Sequence, residues 1–315
     1  MLAAVHEDER APTYRRGLHA LAVVTAMAIF PLVLVGAGVT SKDAGMAYPD
    51  WPTSGGHLIN PPQWWQIDAT RWEHGHRLIG WTVGMLAIAS AALSWRAGGR
   101  TRALGIAVLL AIIVQGVMGG LRVNLISTGL AMLHGIWGQA CFTLACCLAL
   151  MTSRTWLFRR AAIRAPAGSV LQKLCVAGAV ALLIQLLLGA VLRHFASDAA
   201  LVLHLLWAVV VSLIAGWIVV WVIGLSRGRN LLETLGWVLG GLMVLQLLLG
   251  GLAWTATLAG GLGSPMLRWA LPSAHVAVGA LLLACFTMLT LAALHFLQPG
   301  PVPDRRPDLA AVAAP

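Results

Sequence analysis

Eight long apolar runs separated by short polar segments dominate this chain, at about 18–39, 76–95, 103–122, 129–151, 169–192, 200–225, 231–254 and 271–297. Each is close to or above the roughly 20 residues that an α-helix needs to cross a hydrocarbon core of about 30 Å. The pattern predicts an all-α polytopic membrane protein with eight transmembrane helices. It leaves no stretch for a separate soluble domain.

The runs repeat. Gln115, Gly119, Ser127, Leu133, His134 and Trp137 match Gln185, Gly189, Ser197, Leu203, His204 and Trp207 at a constant offset of 70 residues. Gln246, Gly250 and Gly251 restate the theme in the seventh run, and His275 follows after a longer loop. The first run ends in Gly36-Ala37-Gly38, and His76 opens the second after a 35-residue loop. The chain therefore reads as four helical hairpins forming two similar four-helix bundles, residues 1–160 and 161–315. Small residues at the ends of the odd runs allow close backbone approach.

Charge sets the orientation. The composition is 59% hydrophobic and 10% charged, with a formal net charge of +10. Arg10, Arg15, Arg16, Arg96, Arg100, Arg102, Arg154, Arg159, Arg160, Arg164, Lys173, Arg227, Arg229, Arg305 and Arg306 fall on one side of an eight-helix topology. Lys42, Arg71, Arg77, Arg122, Arg193 and Arg268 fall on the other. This 15-to-6 split is the positive-inside signature and places both termini in the cytoplasm. The basicity thus needs no nucleic-acid partner. The mixed charge of His6-Glu7-Asp8-Glu9-Arg10 and the length of the first run argue for a retained helix rather than a cleaved leader. A bacterial cytoplasmic membrane is the simplest location. All five cysteines lie within the runs, where they serve as small packing residues.

Four histidines, His76, His134, His204 and His275, stand in the first turns of the even runs. An imidazole inside a bilayer is costly and is a functional-site candidate by default. A proton relay would string acids through the bilayer, and the run interiors lack them. Zinc wants three or four converging ligands. Two pairs of axial heme ligands fit better, His76 with His134 and His204 with His275, both near the outer face. His19 and His295, at the inner ends of the first and last runs, are an alternative pair. His74 points to a different face from His76, and His194 adjoins Arg193 in a loop.

Glu73, His76 and Arg77 share a helix face by their spacing. Glu73 is either an acid favoured by a helix N-terminus or a carboxylate that manages protons or charge beside the first heme. Arg77, Arg122 and Arg193 are candidate propionate contacts. The loop from about 40 to 75 carries Pro49-Asp50-Trp51-Pro52 and Thr53-Ser54-Gly55-Gly56, which read as turns. Its length suits a lid over the first site.

These features resemble the heme A synthase family: eight helices in two halves, one histidine on each even helix, and an E-x-x-H-R sequence at Glu73 to Arg77. The segment from Val39-Thr40-Ser41 to Pro49-Asp50-Trp51-Pro52 is similar to that family's first outer loop. The resemblance implies oxidation of the ring methyl of heme O to the formyl group of heme A. It also implies a permanent heme b on His204 and His275, with substrate heme on His76 and His134 and Glu73 at the reacting edge. Heme O synthase and cytochrome oxidase assembly factors would be partners, alongside an electron donor that the sequence does not name. Some members carry a cysteine pair in the first outer loop, and this chain has none. The competing readings are a diheme b-type cytochrome acting on quinol and a non-enzymatic heme transporter or insertion factor.

The charge asymmetry generates a topological prediction. Reporters fused after Pro315 and inserted within residues 53–60 are expected on opposite sides of the membrane, and reporters on the same side would refute the helix count.

Overall fold

The computed structural model describes residues 13–158, 163–165, 168–225, 231–257 and 264–300. Arg10, Arg159, Arg160, Arg227, Arg229, Arg305 and Arg306 of the inner-face charge set, and His6, lie outside the described residues. The helices are α1 (Arg16–Ser41), α2 (Asp68–Trp95), α3 (Gly99–Asn124), α4 (Thr128–Met151), the short α5 (Arg154–Phe158), α6 (Gly168–Phe195), α7 (Asp198–Leu225), α8 (Leu231–Thr257) and α9 (Pro265–Phe296). All but α5 are long and apolar enough to cross a membrane. The fold is all-α and multi-pass. Three residues of β1 (Ile163–Ala165) pair in parallel with β2 (Leu297–Pro299), tying the α5–α6 link to the end of α9.

Two helices begin earlier than their apolar runs. α2 starts at Asp68, which is ion-paired to Lys42 at 2.9 Å and to Arg71 at 2.5 Å. Glu73, His74 and His76 are therefore all helical. α9 starts at Pro265 and carries Pro272 inside it. Hydropathy marks the apolar stretch, whereas the helix continues into the polar zone as far as its caps and ion pairs support it.

The repeated residues have repeated jobs. Ser127 and Ser197 cap α4 and α7, their hydroxyls accepting from the Leu130 and Ala200 backbone N–H groups at 3.2 and 3.3 Å. Ile126 and Ala196 precede those caps with φ of +48° in both. Trp137 and Trp207 donate their indole N–H groups to the Ala111 and Ala181 carbonyls at 2.9 and 2.8 Å. In an apolar surrounding, a tryptophan N–H needs such a partner.

In the first half, α1 packs on α2 and α4, and α3 on α2 and α4, which closes a four-helix ring. In the second, α6 packs on α7 and α9, and α8 on α7 and α9, closing another. The rings meet through α1 and α4 against α9, and α4 against α6. The apolar window of α9 is 61% buried, against 22–39% for the other spans. It is thus the central helix. Its Ala280 and Ala284 join Ala26, Ile29, Val83, Phe142 and Ala145 in a core that crosses the boundary. The outward faces of α7 and α8 expose Leu213, Trp217, Val220, Leu247 and Leu248, as expected for surfaces facing lipid.

Phe286 of α9 is fully buried and rests on Gly178 of α6, where a Cβ would come within 2.5 Å of its ring. Overpacking at such a contact costs about 1–3 kcal/mol. Gly178→Val is therefore expected to lower the thermal midpoint of the purified protein. Gly216→Ala, which meets open space, is expected to leave it unchanged. Equal midpoints for the two variants would refute the α6–α9 packing.

Candidate functional site

His76 and His134 face each other with ring centroids 6.3 Å apart and planes at 75°. His204 and His275 do the same at 6.3 Å and 70°. Each ring lies on a glycine of the preceding helix. A Cβ at Gly36, Gly119, Gly189 or Gly250 would come within 2.8, 2.9, 2.8 and 3.0 Å of the ring carbon Cε1 of His76, His134, His204 and His275 respectively. One helical turn before each glycine stand Leu32, Gln115, Gln185 and Gln246. The Gln115 carbonyl accepts from His134 Nδ1 at 3.1 Å. The Gln115 and Gln185 amides donate to the backbone carbonyls of His134 and His204, both at 3.0 Å. Gln246 Nε2 lies 3.2 Å from His275 Nε2.

The spacing within each pair suits one metal atom. A metal–imidazole bond of about 2 Å, plus roughly 1.1 Å from nitrogen to ring centre, sets the centroids of a bis-imidazole iron about 6 Å apart. His76 and His275 each lie against the backbone one turn before their glycine, at Leu32 and Gln246 respectively, as His134 does at Gln115. Among the described residues no three His, Cys, Asp or Glu side chains converge, so neither pair has the third protein donor of a zinc centre. Two facing imidazoles in an apolar slot match axial ligation of a macrocycle.

The outer loop closes over the first pair only as far as the chain is described. Glu73, 3% exposed, pairs with Arg77 at 2.5 Å and accepts from the Tyr48 backbone N–H at 3.0 Å. Arg77 also donates to the carbonyls of Asp50, Thr53 and Tyr48 and to the Ser54 hydroxyl. His74, 1% exposed, bonds Ser54 Oγ and the Ile59 carbonyl at 3.0 and 2.9 Å, with Tyr48 and Trp64 edge-on to its ring. On the α3 side, Trp51 packs on Gly120 and Arg122 donates to the Gly45 carbonyl at 3.0 Å. Residues of α2 and α3 together thus hold residues 45–59 across the end of the first bundle. In the second half the α6–α7 link is only Ala196-Ser197.

The candidate arginines therefore differ. Arg77 is committed to the loop. Arg122 stands on α3 close to the first pair. Arg193 reaches from α6 to α1, donating from Nη2 to the Ala37 carbonyl and Ser41 Oγ at 2.8 and 2.7 Å, and so bridges the halves. His19 and His295 have separate partners, the Thr152 hydroxyl at 3.2 Å and a stacked Trp156 at 4.3 Å. His194 sits in the last turn of α6 beside Arg193 rather than in a loop. The five cysteines are free and four are buried, as packing residues are.

Sequence reasoning passed over Tyr48, Ser54 and Leu32. The loop residues act through backbone atoms or one hydroxyl, which carry no spacing signal. Leu32 was visible as the residue one turn before Gly36, where α3, α6 and α8 carry glutamine.

No family model matches the sequence. Over 110 residues, 33% of this chain, it is 34% identical to the heme A synthase of Shouchella clausii and covers 35% of that protein. Over 138 residues, 40% of this chain, it is 32% identical to the protoheme IX farnesyltransferase of Haloarcula marismortui and covers 27% of that protein. The chain thus spans about a third or less of the length of these curated relatives. Both similarities are weak and partial, and both are to proteins named for heme.

Asp50 organises the tip of the loop. Its carboxylate accepts from Thr53 Oγ1 at 2.5 Å and from the Gly55 and Gly56 N–H groups at 2.8 and 2.9 Å. Slight burial pushes its pKa up, and the bonds from Gly56, Thr53 and Gly55 outweigh this and pull it from 3.8 down to about 2. Because the folded value is the lower one, this contribution is complete at neutral pH and is lost as pH falls from about 4 toward 2. Protease cleavage within residues 53–60 is expected to stay slow down to about pH 4 in the unaltered protein. Asp50→Asn is expected to speed it at neutral pH. Equal cleavage of the two proteins would remove Asp50 from loop closure.

Proposed function

We propose that this chain is a heme-processing membrane oxidoreductase of the heme A synthase type, converting the ring methyl of heme O to the formyl of heme A. The observation that carries the reading is the pair of matching histidine couples, each spaced for one iron and each lying on glycine. The partial similarity to a heme A synthase and to a protoheme IX farnesyltransferase supports the same substrate class.

In this reading His204 and His275 hold heme b, and His76 and His134 hold the substrate heme. Heme b bound there supplies one-electron redox chemistry. The substrate assignment rests on the loop, which covers the first couple and would shield the reacting edge from bulk water. Glu73 lies one turn before His76, its carboxylate oriented by Arg77 and the Tyr48 N–H. A charge fixed in a dry site stabilises developing positive charge on the oxidised substituent or takes a proton from it. Arg122 and Arg193, one at the outer end of each half, would meet propionates. The reaction centre is peripheral to the iron, so filled axial positions do not forbid it. Both sites lie near the outer face of a bacterial cytoplasmic membrane, with both termini inside. Methyl to formyl adds one oxygen atom, supplied by water, and removes four protons and four electrons, and the electrons leave to an acceptor outside this chain.

Pigment extraction from membranes supplied with heme O tests the proposal. The unaltered chain is expected to yield heme A and to retain a low-spin heme b that is lost in His204→Ala and His275→Ala. Glu73→Gln is expected to keep that heme b while heme O or a partly oxidised alcohol accumulates. Heme O recovered unchanged from the unaltered chain would sink the enzyme reading and leave a carrier. Normal heme A from Glu73→Gln would reduce Glu73 to a loop anchor.

A further inference from the structure

His74 lies on the lipid-facing side of α2. Trp81, Met85 and Ile88, each more than half exposed, follow it by 7, 11 and 14 residues, close to whole turns of a helix with 3.6 residues per turn. His76 lies on the opposite face, toward His134. An imidazole is costly against hydrocarbon, yet His74 is almost fully buried. The loop covers it. Ser54 Oγ donates to its Nδ1 at 3.0 Å, the Ile59 carbonyl accepts from its Nε2 at 2.9 Å, and Trp64 packs edge-on to the ring.

The covering segment is polar within and apolar without. Between Asp50 and Asp68, residues 51–67 include no Asp, Glu, Lys or Arg. Leu58, Ile59, Trp65 and Ile67 turn outward, Ile59 with 74% of its surface exposed. A contiguous exposed apolar patch marks a surface that meets something other than water. Its level is set by His74, which precedes the start of the apolar run at His76 by two residues, about 3 Å of helix rise. Bonded to His74, Ile59 therefore sits close to where the hydrocarbon begins. The α3–α4 and α6–α7 connections at the same end likewise expose Leu125, Ile126 and Phe195.

We infer that residues 57–67 form a membrane-interface anchor, lying in the boundary zone of the bilayer that the helices span, with Leu58, Ile59, Trp65 and Ile67 against lipid. The bilayer is the occupant because the patch continues the lipid-facing stripe of Trp81, Met85 and Ile88 past His74. The lack of charge decides the kind of contact. Interfacial segments that bind anionic headgroups carry Lys and Arg. This one offers tryptophans and aliphatic side chains, which enter the zone to a depth of about 5–10 Å whatever the headgroup. The cover over the first histidine couple is then held from two sides, by Glu73, His74 and Arg77 within and by lipid without. The inference is independent of what the histidine couples bind.

Depth-dependent fluorescence quenching tests this on the purified full chain, one molecule per lipid nanodisc. Ile59→Cys and, separately, Leu58→Cys carry an environment-sensitive dye. The unaltered chain, whose five cysteines lie within the helices, gives the background. At both positions the dye is expected to emit at shorter wavelength than in water and to resist iodide. A nitroxide near the top of the lipid acyl chain is expected to quench it more than one near the chain end, whereas Met85→Cys is expected to show the reverse order. The pattern is expected to be the same in phosphatidylcholine alone and with phosphatidylglycerol added, at low and at high salt. A dye at either position that iodide quenches and lipid nitroxides do not would overturn the inference and leave the patch for a protein partner or a second copy to cover. Quenching that requires phosphatidylglycerol, or that falls with salt, would overturn it in favour of headgroup binding.

Discussion

An imidazole can lie between two apolar helices only where the facing helix has no side chain in the way. Gly36, Gly119, Gly189 and Gly250 meet that condition, and a Cβ at any of them would strike the histidine ring. Because the ring occupies that space, the two helices of each hairpin approach closely. The Trp137 and Trp207 bonds to α3 and α6 then fix the register one turn further on. The two ring pairs, the closure of each four-helix ring and the stripe of small residues all follow from this contact. Losing a glycine here would displace a ring and also part the hairpin.

Polar chemistry is concentrated at the end of the bundle where α2, α4, α7 and α9 begin. The Glu73–Arg77 pair there has little access to water, and burying a charge is favourable only when it is also hydrogen-bonded. Glu73 and Arg77 meet that requirement through the backbone of residues 48–54. The loop therefore supplies the bonds that the charged pair needs, and the pair holds the loop in place. A carboxylate poised near the first histidine couple and a cover over that couple are one structure.

The halves are similar but not equivalent. α9 lies at the centre, packed on α1, α4, α6 and α8, and near its N-terminal end it meets α1 through the Ser41–Ser273 bond at 3.1 Å. Arg193 crosses the same boundary, and Lys42 sits over the rings of Trp72 and Trp269 from opposite halves. At this end the boundary is thus polar and aromatic, whereas further along the helices it is an alanine-rich core. The long loop between α1 and α2 belongs to the first half, whereas the α6–α7 link of the second is only Ala196-Ser197.

Much of this was legible in the residues alone. Hydropathy specifies eight spans because a bilayer demands a fixed length of apolar helix, and the offset of 70 residues specifies the hairpin repeat. The repeat also picks out the four histidines, since polar side chains are costly in such runs and their recurrence in register is hard to explain otherwise. Their pairing was read from the two halves of the repeat, but the separation of the rings was not, because two rings 58 residues apart, as His76 and His134 are, meet only through helix packing. The spacing of Glu73 and Arg77 was visible, but their attachment to Tyr48, Asp50 and Thr53 was not, since it runs through backbone atoms that every residue possesses. Leu32 shows the division most sharply. The sequence by itself determined that α1 lacks the glutamine of its counterparts, whereas only the tertiary structure decided that this residue stands behind His76, because contacts between helices depend on how their faces rotate and pack.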